Sequence, residues 1–427
     1  MPAPAGFSAI LRTLGHRNFA IYTTGNALSL VGTWMQRIAV GWLAWELTHS
    51  GAWLGLVAFA DLFPSVLIGP FAGAFADRAS RVRIIAVSQL LSMMLAILLA
   101  GLTWSGLITI ESLFALMLAN GVVVGVNQPA RIAVVQSLVP RRDLSTAVAI
   151  NSIVFNTARF VGPAIAGVLL VGVGVAACFA ANALSFLALL VALARLKIDA
   201  RAHIRPRQGG NLLTDVADGV GYAVRHPGVG PLLMLLLVTA IGVRPFADLL
   251  PGFAAAVFGR GADALATLSA CIGIGAIIGG LWLAQRGEIE GLSRIALLST
   301  LAGGLSVAAF VATDLYPVAL AATAFAGATI LISGVSTQTL MQLSVERGMQ
   351  GRVLSLYGII FRGAPALGSL LAGTLSETLG LRWPIAGGCI LCIAVWLWFW
   401  RRRAPITEAL EARVIEPVAE SEGRPAL

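Results

Sequence analysis

The chain has 427 residues, 58% of them hydrophobic and only 11% charged, with a formal net charge of +9. Soluble globular proteins carry about 45–50% apolar and about 25% charged residues, so this composition argues against a water-soluble enzyme and points to an integral membrane protein. The four cysteines (Cys178, Cys271, Cys389, Cys392) all lie inside apolar runs, which leaves no disulfide framework to read.

A helix crossing a hydrocarbon core about 30 Å thick needs about 20 mostly apolar residues. Twelve stretches qualify, at 19–46, 54–76, 83–104, 111–137, 148–171 and 174–195, then 230–252, 263–285, 293–313, 315–341, 353–376 and 382–400. They lack the two-residue alternation of a membrane barrel, so helices are expected. The first run is long and no small-residue cleavage site follows it, so no cleavable signal is expected. The implied organisation is a short segment over 1–17, a six-helix bundle over 18–196, a polar connector over 197–229, a second bundle over 230–400 and a disordered tail over 401–427.

The loops set the orientation. Arg12, Arg17, Arg78, Arg81, Arg83, Arg141 and Arg142 fall before the first span or in the even-to-odd loops. The connector (Arg201, Arg205, Arg207, Arg225) and the tail run Arg401–Arg403 continue the pattern, while the opposite loops hold only Arg260 and Arg382. Lys and Arg are retained on the cytoplasmic side, so both termini are expected there. The positive charge then reports topology, and no nucleic-acid partner is implied.

An internal repeat underlies the two bundles. Gly69-Pro70-Phe71-Ala72-Gly73 in the second span echoes Gly275-Ala276-Ile277-Ile278-Gly279 in the eighth, both small-xxx-small patterns suited to close helix contact. Gln136-Ser137-Leu138-Val139 echoes Gln342-Leu343-Ser344-Val345, and Gly162-Pro163-Ala164 echoes Ala364-Pro365-Ala366. All three separations are about half the chain. Two related six-helix halves with a site between them at the bilayer midplane are a transporter plan.

The loop after the second span reads Gly73-Ala74-Phe75-Ala76-Asp77-Arg78-Ala79-Ser80-Arg81-Val82-Arg83. Together with the layout, it resembles the Gly-x-x-x-Asp-Arg-x-Gly-Arg motif of the major facilitator superfamily, with Ser80 in place of the second Gly. The resemblance implies a cytoplasmic gate in which Gly73, Asp77, Arg78 and Arg81 latch neighbouring helix ends. Asn127-Gln128-Pro129-Ala130-Arg131, Leu138-Val139-Pro140 and Asn156-x-x-Arg159-x-x-Gly162-Pro163-x-x-x-Gly167 look like the branch of macrolide and enterobactin exporters among drug:proton antiporters. There the Gly162-Pro163 step and Gly167 would kink and closely pack the fifth span.

Ionisable residues at membrane depth cost about 2.5–3.5 kcal/mol each on insertion scales and are usually functional. Arg37, Asp61, Arg159, Arg244, Asp248 and Arg362 are the candidates. Arg37 and Arg244 occupy matching spans, as do Arg159 and Arg362, and the resemblance implies that all four face one aqueous vestibule, with Asn127 beside them. Arg37 and Asp61 lie at similar depth and can pair. Arg244 and Asp248 are spaced i, i+4 on a helix and can also pair. Arg159 and Arg362 have no acidic partner in their own spans, which suggests an anionic or amphiphilic substrate with acidic oxygens, or bonding to carbonyls freed near Pro163 and Pro365. Asp61, and after it Asp248, is the candidate for proton coupling, because burial opposes a carboxylate's charge and a nearby Arg supports it.

Cys389-x-x-Cys392 lacks a second ligand pair and no nucleotide motif is present, so no metal or cofactor is expected and an ion gradient, of protons with sodium as the alternative, is the implied drive. Trp34 either anchors an interface or lines the cavity. These readings combine into an all-α membrane protein of twelve transmembrane helices that exports small organic molecules as a monomer, with the bilayer and a small-molecule substrate as partners. An importer, a lipid or siderophore carrier, and a non-transporting scaffold or sensor remain as alternatives.

Overall fold

A computed structural model describes residues 7–76, 80–196, 212–286, 290–346 and 348–415. A short amphipathic helix, α1 (Phe7–Leu14), precedes α2 (Arg17–Thr48), α3 (Gly51–Ala76), α4 (Arg81–Trp104), α5 (Ile110–Leu138), α6 (Leu144–Gly172) and α7 (Val175–Ala194). The second half comprises α8 (Leu212–Arg225), α9 (Val229–Gly242), the single turn α10 (Leu250–Gly252), α11 (Ala262–Arg286), α12 (Leu292–Ala312), α13 (Tyr316–Ser344), α14 (Gln350–Leu379), α15 (Arg382–Trp400) and α16 (Arg403–Ile415). Among the described residues there is no strand. Among the described residues, eleven helices are long and apolar enough to cross a membrane. The twelfth expected span, α2, has 32 residues and runs beside them, but carries Asn26, Gln36 and Arg37 in its length.

The helices alternate in direction, so the turns sort to two ends. One end holds α1, α8, α16 and most of the arginines, and is called the basic end below. The far end holds tight hairpins. Gly174 (φ +100°) and Gly380 (φ +77°) turn two of them in a backbone region that a side chain would strain. Thr109 begins α5 with a capping box, its side chain accepting from the Ser112 N–H while the Ser112 hydroxyl accepts from the Thr109 N–H.

Within the first half α2 packs on α6 and α7, α3 on α5, and α4 on α5 and α7; within the second, α13 packs on α11 and α12, and α9 on α14 and α15. Two broad seams join the halves, α3 on α14 and α6 on α11. Each seam sets the second long helix of one half on the fifth of the other, the exchange a duplicated fold produces. Both seams are tightest toward the far end. A methyl on Gly55 or Gly373 would strike backbone of the opposite half, and one on Gly167 would stand 2.5 Å from the Ala266 Cβ.

Three sequence expectations need correction. The tail from 401 is helical over Arg403–Ile415: Ile406 and Leu410 are buried, and Glu411 accepts from the backbone N–H of Gly291 (3.2 Å) and Ser293 (3.1 Å), capping the start of α12. Residues 416–427 lie outside the described residues. The connector likewise contains α8, with Ala223 buried, although 197–211 fall outside the description. The two small-xxx-small patterns also differ. Gly275 and Gly279 meet the α13 backbone at Ala324 and Ala328, whereas Gly69 has open space around its Cα, and α3 instead receives Gly121 and Gly125 of α5.

At the basic end, Asp143 is fully buried just before α6. It accepts from Arg12 (Nε, 2.9 Å) and pairs with His16 (Nε2, 2.9 Å), fastening α1 to the bundle. Sequence inspection had singled out its neighbours Arg141 and Arg142, but not Asp143 itself.

The contrast between Gly275 and Gly69 is measurable. Gly275→Ala should destabilise the purified chain by about 1–3 kcal/mol through overpacking, read as a lower thermal midpoint. Gly69→Ala should leave that midpoint unchanged or raise it, because alanine is the better helix former.

Candidate functional site

The site begins with a break in a helix. After α9, residues Arg244–Ala247 form a 3-10 turn, followed by α10 and a π-turn over Phe253–Val257. Pro245 and Pro251 interrupt the α-helical hydrogen-bond ladder here. The expected Arg244–Asp248 pair depends on that ladder. Four residues advance about 400° around an α-helix, nearly one face, but about 480° around a 3-10 helix, a third of a turn out of register. The two side chains accordingly part.

Asp248 turns to the other half. Arg37 Nη2 of α2 donates to its Oδ1 at 2.9 Å, and the Ser369 hydroxyl of α14 donates to its Oδ2 at 2.7 Å. The Arg37 side chain remains 35% exposed and that of Asp248 13%. Arg37 therefore does not pair with Asp61, the partner expected from depth. Asp61 accepts instead from Asn120 Nδ2 of α5 at 2.9 Å, while staying within electrostatic range of Arg37 and Asp248.

Arg244 is held in another way. Its Nη1 donates to the Phe361 carbonyl at 3.2 Å, and its guanidinium lies 4.2 Å from the Phe361 ring centroid. Pro365 sits four residues beyond Phe361 in α14 and has no N–H to offer that carbonyl. The bond to a freed carbonyl foreseen for Arg362 thus exists, but with Arg244 as donor. Tyr357 stacks on Phe361 at 5.6 Å.

Arg159 makes no hydrogen bond or ion pair among the described residues. Its guanidinium stands 5.4 Å from the Trp34 ring centroid, and Arg37 stands 5.6 Å from the same ring. Phe155 meets Trp34 edge-on at 5.7 Å. Arg159 is within electrostatic range of Arg37, Arg244 and Asp248. Three of the four arginines therefore gather between the halves. Arg362 stands apart from them, with no polar partner among the described residues.

The remaining sequence candidates divide. Asn127 of α5 is 5% exposed and its Oδ1 has no hydrogen-bond partner among the described residues. Gly162 lets α6 approach α2, since a methyl there would sit 2.6 Å from the Trp34 Cβ; Pro163 follows inside the helix, and Gly167 serves the seam with α11. Of the gate motif, Gly73 lies within α3, Asp77 and Arg78 lie outside the described residues, and Arg81 Nη1 donates to the Ala133 carbonyl of α5 at 3.3 Å.

Sequence reasoning missed one cross-half contact altogether. At the far end, Glu377 of α14 accepts from the Ser50 hydroxyl at 2.6 Å and from the Ala52 N–H at 3.0 Å, so a carboxylate from one half caps the first turn of α3 in the other. Above it opens a pocket of about 490 Å³ lined by both halves, including Trp45, His49, Glu377 and Arg382. The available signal was Gly51 and Ser50 at a helix start without an acidic residue of their own.

Comparison with known proteins is consistent with this architecture. The chain is 25% identical to the staphyloferrin A transporter of Staphylococcus aureus over 90% of its length and 96% of that protein. It is 25% identical to the enterobactin exporter of Salmonella choleraesuis over 94% of its length and 97% of that protein. Among solved structures, a bacterial homolog of the human lysosomal transporter Spinster matches with a TM-score of 0.69 at 13% identity, over 92% of this chain and 97% of that one. A family model described as transmembrane secretion effector matches residues 8–422. The chain belongs to that family, within the major facilitator superfamily, and is a multi-pass membrane transporter.

Proposed function

We propose that the chain is a proton-coupled exporter of small organic molecules, working as a monomer by alternating access in a bacterial inner membrane, with its basic end in the cytoplasm. The observation that carries this reading is the Arg37–Asp248 pair, which joins the two halves at membrane depth with a group able to lose its charge. Breaking a buried pair by removing one partner costs about 3–5 kcal/mol. Here the cost is lower, because Arg37 keeps 35% exposure. A proton on Asp248 releases Arg37, and with it one tie between the halves. Asp61 shares the field of the same guanidinium and serves as the second proton carrier.

The far-end seams, the Glu377 cap and the Arg37–Asp248 pair support reading this conformation as closed to the outside. In this state substrate enters from the cytoplasm. In the opposite state the latch of Gly73, Asp77, Arg78 and Arg81 closes the cytoplasmic side. No cofactor takes part, since the gradient does the work, and no covalent chemistry is performed on the cargo. The names of the two relatives, one a transporter of staphyloferrin A and the other an exporter of enterobactin, support an organic cargo and outward movement.

Two outcomes test this. In proteoliposomes with an imposed pH gradient, a panel of staphyloferrin A, enterobactin and a macrolide should include a compound accumulated uphill. Asp248→Asn and Asp61→Asn should each abolish that accumulation while leaving counterflow exchange near the unmodified rate; uphill transport surviving either change would remove that residue from coupling. Separately, a Cβ on Gly51 would lie 3.1 Å from the Ser376 Cβ, close to disulfide geometry. In a background without the native cysteines, oxidising Gly51→Cys with Ser376→Cys should stop transport, and reduction should restore it. Undiminished flux through the fully cross-linked protein would rule out opening at this seam.

A further inference from the structure

Each guanidinium in the central cluster has its needs met differently, and one is left over. Arg37 has the Asp248 carboxylate, and Arg244 has the Phe361 carbonyl and ring face. Arg159 has only the face of Trp34. Counting Asp61 and Asp248 against Arg37, Arg159 and Arg244, the cluster carries one positive charge without a countercharge. Charge at membrane depth is costly until paired, and Arg159 suffers further from the like charges of Arg37 and Arg244 nearby.

The surroundings of Arg159 are shaped as well as charged. Phe155 and Arg159 lie four residues apart on α6 and so share one helix face. Trp34 of α2 faces both, edge-to-face with Phe155 at 5.7 Å and under the guanidinium at 5.4 Å. The closely packed Gly162 fixes this distance by bringing α6 onto the α2 backbone at Trp34. Phe155 remains 42% exposed, so the cradle has an open aromatic side. A guanidinium fork pairs with a planar acid group in a bidentate manner, and exposed ring faces and edges favour another ring.

We propose that this cradle is the cargo-selecting subsite and that its ligand is an aromatic monoanion, with the acid group on Arg159 and the ring against Phe155 and Trp34. The assignment rests on the transporter reading of the same vestibule and narrows its cargo. A neutral molecule leaves Arg159 uncompensated, a dianion overshoots the single surplus charge, and an aliphatic acid leaves the aromatic side unfilled.

Equilibrium dialysis of the full chain in nanodiscs, corrected against empty nanodiscs, tests this with 2-naphthoate, the neutral isostere 2-naphthamide and the saturated decalin-2-carboxylate. Naphthoate should bind about tenfold or more tighter than naphthamide, the worth of one charge-assisted contact, and also tighter than the decalin acid. Arg159→Gln should erase the acid-over-amide ratio, Arg159→Lys should keep only part of it, since an ammonium keeps the charge but not the fork, and Phe155→Leu should shrink the aromatic-over-saturated ratio alone. Equal binding of naphthoate and naphthamide, or a ratio that survives Arg159→Gln, overturns the proposal. If Arg159→Gln does not give folded protein, the unmodified ratios and Phe155→Leu decide it. Gradient-driven flux of neutral or cationic compounds without naphthoate binding would overturn this subsite and leave the transporter reading standing. Naphthoate binding without gradient-driven flux of any compound would do the reverse.

Discussion

A guanidinium held halfway along a membrane-spanning helix needs a countercharge, and for Arg37 that countercharge belongs to the opposite half of the molecule. This requirement orders much of the rest. Asp248 can reach across only because α9 breaks into a 3-10 turn, which rotates the carboxylate away from Arg244. Arg244, deprived of it, takes the carbonyl that Pro365 leaves open in α14. Ser369, one turn further along α14, occupies the second oxygen of Asp248. Prolines at two places, Pro245 with Pro251 after α9 and Pro365 in α14, thus supply the irregular backbone from which the polar contacts at the seam are built, as expected where non-helical backbone at membrane depth is buried in protein.

The seams face a different constraint. Between helices in a bilayer, apolar burial gives little drive to associate, because lipid is as apolar as leucine, so close packing and polar contacts must hold the halves. Gly55 and Gly373 set backbone against backbone at the far end, and Gly51 and Gly167 admit the small side chains of Ser376 and Ala266. Packing of this kind is short-ranged and does not bend gradually; it is either engaged or apart. The polar ties between the halves, through Glu377 at the far end and Asp248 at membrane depth, are carboxylates that each have a partner in the other half. A seam that is strong only when engaged, and is fastened by few polar contacts, is suited to switching between two states.

What could be read from the sequence followed from how local each rule is. Apolar run length located the helices, and the bias of arginine to one set of loops sorted their ends, because both depend only on neighbouring residues. The Arg244–Asp248 pairing fails because the spacing rule presumes an unbroken helix, which Pro245 and Pro251 break, and the Arg37–Asp61 pairing fails because the Asp248 freed by that break takes Arg37 and leaves Asp61 to Asn120. Glu411 and Glu377 each cap a helix that begins far away in sequence, at Gly291 and at Ser50, so no local pattern announces them. Asp143 sits beside two arginines that read as topology signals, and its burial under Arg12 and His16 becomes visible only once α1 folds back. The docking of α16 was obscured by the same distance, since its polar composition resembles a solvated tail until Ile406 and Leu410 meet the bundle.

The helix least like a membrane span by composition is the one that contributes most to the site. Alone among the expected spans, α2 falls short of the apolar helices around it, and its polar residues are where the chemistry lies. Arg37 crosses to Asp248, Gln36 accepts from Asn182 at 2.7 Å, Ser29 donates to Gln89 at 3.2 Å, and Asn26 accepts from Arg131. Each of these partners lies on a different part of the bundle, so α2 is surrounded by protein on most of its faces and has less lipid to satisfy. Hydropathy measures how well a helix suits lipid, and a helix that lines a polar site is relieved of that demand. The weakness of its membrane signal and its place at the centre of the bundle therefore have one cause. In a duplicated transporter, the span that scores worst is a sound place to look first for the groups that move cargo and protons.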